Sequence, residues 1–180
     1  MKPTILTVEG TYFDFTDPDS AQITIRSIAH ALAFICRFGG QCPRFYSVAQ
    51  HCVMLSYIVP EEYAFEGLMH EAGEPFCGDM PSPLKMLLPE YKIIEKRVEA
   101  SVLKRFGIVA MPPCIKTADI VMLATEQRDL MPVHETHDWS LTHGIEPLNK
   151  KIRPWPAWYA RWRFLRRYKE LIKKRTLVMQ

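Results

Sequence analysis

The chain has 180 residues, 48% hydrophobic and 24% charged, with a net charge of +3, which is ordinary for one soluble domain with a sizeable core. Its apolar runs are too short for a transmembrane helix, and its first residues, MKPTILTVEGTYFDF, lack the apolar centre and cleavage site of a signal peptide. Five cysteines (Cys36, Cys42, Cys52, Cys77, Cys114) without a CxxC pair read as reduced, mostly buried thiols of a cytoplasmic protein, against a disulfide frame or a cysteine zinc site.

Residues 1–22 contain the turn formers Gly10, Asp17 and Pro18 and form an N-terminal arm with room for a short strand pair. The stretch ITIRSIAHALAFICRF, from Ile23, repeats apolar residues at three and four and predicts a helix that stops at Gly39-Gly40. Ser47-Val48-Ala49-Gln50 is a capping box opening a second helix. A third is expected over 61–74, since Pro60 precedes it and Pro75 ends it. The loop CGDMPSPLK follows, then a helix over 90–106 closed by Gly107, and another through MPPCIKTADIVMLATEQRDLM, entered at Pro112-Pro113. Residues 131–157 read as a proline- and histidine-bearing loop before a last helix over 158–174. Five to seven helices and few strand signals predict a single all-α domain, a helical bundle.

Charge is unevenly spread. Residues 150–175 hold eleven Lys or Arg against one acid, Glu170, so this basic C-terminal segment (150–180) carries +10 and the rest of the chain −7. Two readings stay open, a phosphate-rich partner or a solvated helix face resting on the acidic body.

The stretch LMHEAGEPFCGDMPSPLK, residues 68–85, places His70, Glu71, Glu74 and Asp79 among apolar neighbours, where charge is costly unless paired. On a continuous helix His70 and Glu74 share a face, and both glutamates fall in the last turn, at the negative end of the dipole. That placement asks for a nearby cation. Asp119 repeats the anomaly within the apolar run ADIVMLA, and Glu126, seven residues on, shares its face. His51 lies between Val48 and Leu55 and faces inward, as a hydrogen-bonded core residue or as a ligand. Two imidazoles with carboxylates suit a divalent metal with open water positions. Arg37, Arg44 and Lys85 are candidate phosphate donors or solvated charges. Phe45, Tyr46, Trp155 and Trp158 read as core or as base-stacking rings, and His30 as structural.

Taken together, Ser47-Val48-Ala49-Gln50-His51, His70-Glu71-Ala72-Gly73-Glu74, Gly78-Asp79-Met80-Pro81-Ser82-Pro83-Leu84-Lys85 and Ala118-Asp119 resemble the HD-domain phosphohydrolases. The likeness covers residues 23–130 and is greatest to the compact bacterial 5′-deoxynucleotidases and the phage-type deoxynucleoside triphosphohydrolases. It implies an all-helical domain holding one divalent metal ion (Zn, Co, Mn or Mg) through His51, His70, Glu71 and Asp119. It also implies that Glu74 acts on the attacking water, that Asp79 lines the site, and that Arg44 or Arg37 contacts substrate phosphate. Homo-oligomers are implied as well. The family pair is His-Asp, whereas this chain has His70-Glu71, a carboxylate one methylene longer. The expected activity is hydrolysis of deoxynucleotide monophosphates or triphosphates. The alternative is a nucleotide- or nucleic-acid-binding module on the same scaffold without turnover.

Overall fold

A computed structural model describes residues 2–133 and 139–178 of the chain. The N-terminal arm is a hairpin of β1 (Thr4–Leu6) and β2 (Tyr12–Asp14), antiparallel with Ile5 opposite Phe13. Phe13 is buried and stacks on Phe76 at 3.9 Å between ring centres, which fastens the arm to the domain. Everything else of length is helical: α1 (Ile25–Phe34), α2 (Val48–Leu55), α3 (Ala64–Met69), α4 (Glu74–Cys77), α5 (Ser82–Met86), α6 (Pro89–Arg105), α7 (Pro113–Leu130) and α8 (Ala157–Val178). The all-α expectation holds, with this one small sheet among the described residues.

Helix α1 begins where Thr24 accepts a hydrogen bond from the Ser27 amide, and it ends sooner than Gly39-Gly40. The main chain at 35–37 is claimed instead by the segment before α2. Val48 N–H donates to Ile35 O at 3.1 Å, Arg37 N–H donates to Tyr46 O at 2.9 Å, and Cys36 pairs with Ser47. These bonds need extended backbone, which outcompetes another helical turn. Arg37 is thereby carried back into the domain.

The capping box at α2 is half made. Ser47 accepts from the Gln50 amide at 3.2 Å, but the Gln50 side chain turns away to hold Arg153 O and Trp155 N–H at 2.9 and 2.7 Å. A long-range partner has replaced the local one, tying α2 to the entrance of α8.

The helix expected over 61–74 is broken into a 3-10 turn (Glu61–Tyr63), α3, a turn through residues 70–73, and α4. Gly73 sits close to α6 at that break: a methyl group there would lie 3.2 Å from the Glu99 Cα, so α6 would have to yield by a few tenths of an ångström. The loop CGDMPSPLK contains α5, and Gly107 closes α6 with φ +71°, the left-handed geometry of a glycine stop. Of the loop over 131–157, residues 134–138 lie outside the described residues.

Helix α2 is buried over nearly its whole length, with α8 laid across α1, α2 and α3 through buried Ala160, Phe164 and Leu171. Helix α7 also packs against α2 and buries Ile115, Ala118 and Met122. All five cysteines are free, but only Cys52 is fully buried. Among the described residues no helix is long and apolar enough to cross a membrane.

Candidate metal centre

The central helix delivers His51 to the middle of the domain, where its side chain is wholly enclosed. Its Nδ1–H donates to Glu126 Oε1 at 2.6 Å, which orients the ring so that Nε2 points at Asp119 and His70. The turn after α3 presents His70, whose Nδ1–H donates to Gly67 O at 2.8 Å. Both imidazoles therefore turn Nε2 inward, and these atoms lie 3.1 Å apart. Asp119 Oδ1, from α7, is 3.2 Å from His51 Nε2, and Glu71 Oε1 is 3.4 Å from His70 Nε2.

One donor atom from each of His51, His70, Glu71 and Asp119 falls within 4.8 Å of all the others. A metal about 2.1 Å from such donors separates neighbouring ones by roughly 3.0 Å at a right angle and 3.4 Å at the tetrahedral angle. Three of the separations, 3.1, 3.2 and 3.4 Å, fall in that range. Two imidazole lone pairs meeting two carboxylates make a set that a proton or a cation must bridge. The group could hold a metal ion.

Electrostatics point the same way. Burial and the Arg37 cation oppose protonation of His51, yet Glu126 and Asp119 outweigh them and hold its pKa up at about 9. Burial also works against ionised Asp119, but the hydrogen bond and charge of His51 draw its carboxyl well below the usual range. Burial keeps His70 more neutral than usual despite Glu71 beside it. Glu74, behind the ligands, is pushed well up by burial and then by Glu71 and Asp79, and its Oε2 is buried without a hydrogen-bond partner. Asp79 is half-buried and also pushed up, by burial and by Glu71, although Arg37 pulls the other way. Carboxylates crowd together here, Glu71 raising the pKa of both Glu74 and Asp79, and a divalent cation would relieve that crowding.

Glu126 carries the framework. It is fully buried and accepts from His51, from Tyr46 Oη at 2.9 Å, and from Arg37 through Nε at 3.2 Å and Nη2 at 3.0 Å. The sequence places Glu126 on the face of Asp119 but does not reveal this role, which depends on donors 75 to 89 residues away. Tyr46 is thus core, while Phe45 and Trp158 are exposed and Trp155 is half-buried.

The anticipated phosphate donors divide. Arg37 is brought to the chamber, though it is buried and paired with Glu126. Lys85 stands with its charge toward Glu74 and Glu71, held by Glu95 at 2.5 Å. Arg44 is exposed on its loop and is not brought into the cluster. The dipole argument for the glutamates needs correction. Glu71 lies in a turn beyond α3, and Glu74 opens α4, at the favourable end of a helix. Burial and the missing partner, not helix position, make Glu74 unusual. His30 is half-buried, with its ring tilted against Phe34 at 4.7 Å between centres, and is not part of the cluster.

The chain is 40% identical over 173 residues to the uncharacterized protein YfdR of Escherichia coli, spanning 95% of this chain and 97% of that protein. It is 33% identical over 138 residues to an uncharacterized protein of Rhodobacter capsulatus, spanning 68% of this chain and 70% of that one. No protein-family model matches the chain.

Proposed function

The chain belongs to the same family as Escherichia coli YfdR, and we propose that it is a metal-dependent phosphohydrolase of deoxynucleotides. The observation that carries the proposal is the convergence of His51, His70, Glu71 and Asp119 beside a buried carboxylate with an unpaired oxygen, Glu74. The resemblance of the His70–Lys85 motif to HD-domain phosphohydrolases supplies the substrate class.

A divalent ion held by these four residues would lower the pKa of a bound water and neutralise phosphoryl charge. The chain's own groups have separable tasks. Burial, and then Glu71 and Asp79, raise the proton affinity of Glu74, so we assign it to take a proton from the attacking water. Lys85 and Arg37 supply positive charge on the side of Glu74, Glu71 and Asp79, where a phosphate would sit. Asp79 follows Gly78, whose φ of +83° is left-handed, and it feels the charges of Glu71, Arg37 and His51. Glu126 keeps His51 in the ligating tautomer and Arg37 in place, as a positioning residue.

Glu71 in place of aspartate is compatible with ligation. The residue sits in the 70–73 turn, and its carboxylate reaches to 3.4 Å from His70 Nε2. The decisive test is a panel of deoxynucleoside mono-, di- and triphosphates assayed with Mn²⁺, Co²⁺, Zn²⁺ or Mg²⁺. Release of phosphate or polyphosphate that disappears in Glu74→Gln supports the proposal. No release from any nucleotide with any of the metals overturns it.

A further inference from the structure

The outer face of α8 takes no part in the chamber, yet it presents an ordered array of rings and cations. Trp158 is 70% exposed and Trp162 48% exposed. They stand one helical turn apart, about 6 Å along the axis, on a helix whose inner side is already seated through Ala160, Phe164 and Leu171. Packing does not account for them. Tyr159 stacks on Trp162 at 5.6 Å and 25° between ring planes, and meets Trp155 and Trp158 edge-on at 5.3 and 5.6 Å.

Guanidinium groups are fixed on this aromatic row. Arg163 lies 4.9 Å from the Trp155 ring centre and donates to Tyr159 Oη at 3.1 Å. Arg166 lies 5.4 Å from the Trp162 ring centre. Around them Lys150, Lys151, Arg153, Lys169 and Lys173 are exposed, within a segment of eleven bases and one acid. The lead into α8 is not a loose tail, because Gln50, next to His51, bonds both Arg153 O and Trp155 N–H.

We propose that this face of α8 is a binding platform for single-stranded nucleic acid. Unpaired bases stack on Trp158 and Trp162, and the phosphate backbone runs along the flanking Arg and Lys. Exposed indoles suit unpaired bases because every base offers a π-face, so recognition tolerates sequence. The +10 segment supplies the electrostatic complement to phosphate. A bilayer is the poorer match. A helix lying in a membrane needs a free apolar face, and that of α8 is buried against α1, α2 and α3. The platform is distinct from the metal centre and does not rest on the hydrolase proposal.

The test uses full-length protein and fluorescently labelled oligo(dT) and oligo(U) of about 20 nucleotides, longer than the ~4–16 nucleotide sites of known stacking folds. Anisotropy and quenching of tryptophan emission are read over a salt series, with a duplex of equal length and phosphatidylserine vesicles alongside. The platform predicts binding of one or both single strands in preference to duplex, with the two oligomers distinguishing DNA from RNA. Affinity falls with salt and drops roughly 5- to 150-fold for each of Trp158→Ala and Trp162→Ala, the equivalent of about 1–3 kcal/mol per stacked base. Both residues are exposed, so the variants fold, and circular dichroism checks this. Four results overturn the proposal: no binding at low salt; binding that the tryptophan variants leave unchanged; preference for vesicles over oligonucleotide; or a protein dimer that the same variants dissolve, which would make the face an interface between copies.

Discussion

Replacing Glu126 by glutamine changes one oxygen to an amide nitrogen at the point where four donor groups meet. Those donors are His51 Nδ1 at 2.6 Å, Tyr46 Oη at 2.9 Å, and Arg37 Nη2 and Nε at 3.0 and 3.2 Å. The amide can still accept from one side, but it turns N–H groups toward a donor and removes the only charge in contact with the buried Arg37 among the described residues. Stripping one partner from a buried ion pair costs about 3–5 kcal/mol. At about 2–4 °C per kcal/mol for a chain of this size, the melting temperature should fall by roughly 6–20 °C. His51 also loses the acceptor that fixes its ring, and loss of such a partner typically weakens metal binding about 10–100-fold. Thermal melts and titration with Zn²⁺ or Mn²⁺ measure the two effects on the same preparation. A melting temperature and a metal affinity both equal to the parent's would refute the assignment of Glu126 as the framework of the site.

Three further outcomes follow from the same geometry. In metal-free protein His51 has its pKa raised from 6.5 to about 9, so its contribution is complete below pH 6.5 and lost as pH rises through 9. Urea midpoints in EDTA should therefore fall over that window, by on the order of 3 kcal/mol, and saturating divalent metal should abolish or reverse the trend. Stability rising with pH in EDTA would contradict the assignment. Glu71→Asp withdraws the carboxylate by one carbon–carbon bond, about 1.5 Å, and should weaken metal binding in a calorimetric titration; tighter binding would show that the glutamate is a handicap. Gly73→Ala sets a methyl group 3.2 Å from the Glu99 Cα, which should cost about 1–3 kcal/mol and displace the 70–73 turn. An unchanged denaturation midpoint would mean that α6 yields more readily than its packing indicates.

Local signals reached far into this fold. The all-helical class, α7 with its proline entry, the glycine stop after α6 and the Ser47 cap are all set by neighbours within a turn, and a sequence displays such neighbours. The grouping of His51, His70, Glu71 and Asp119 was legible through the resemblance to HD-domain phosphohydrolases, while titratable groups in apolar surroundings singled out His51, His70 and Asp119 individually. What stayed hidden depends on distant partners. Helix α1 yields to a bridge between Cys36 and Ser47, and the helix through 61–74 breaks where α6 presses on Gly73. Arg37 has the composition of a surface phosphate donor, but Glu126 draws it inward across 89 residues. The last-turn position read for Glu71 and Glu74 was an artefact of assuming an unbroken helix. The conclusion that a cation belongs nearby instead rests on the buried, partly unpaired Glu74, the half-buried Glu71 and Asp119, and facing imidazole nitrogens.

Metal stoichiometry most directly tests the assignment of the four-residue cluster as a metal site. Protein stripped with chelator is reloaded with Mn²⁺, Co²⁺ or Zn²⁺ and desalted, and metal per chain is measured by plasma mass spectrometry. His51→Ala and Asp119→Ala, checked for helical content by circular dichroism, are treated in parallel. One divalent ion per parent chain is expected, with that ion lost in both folded variants. A parent chain that retains no metal, or variants that retain as much as the parent, would contradict it.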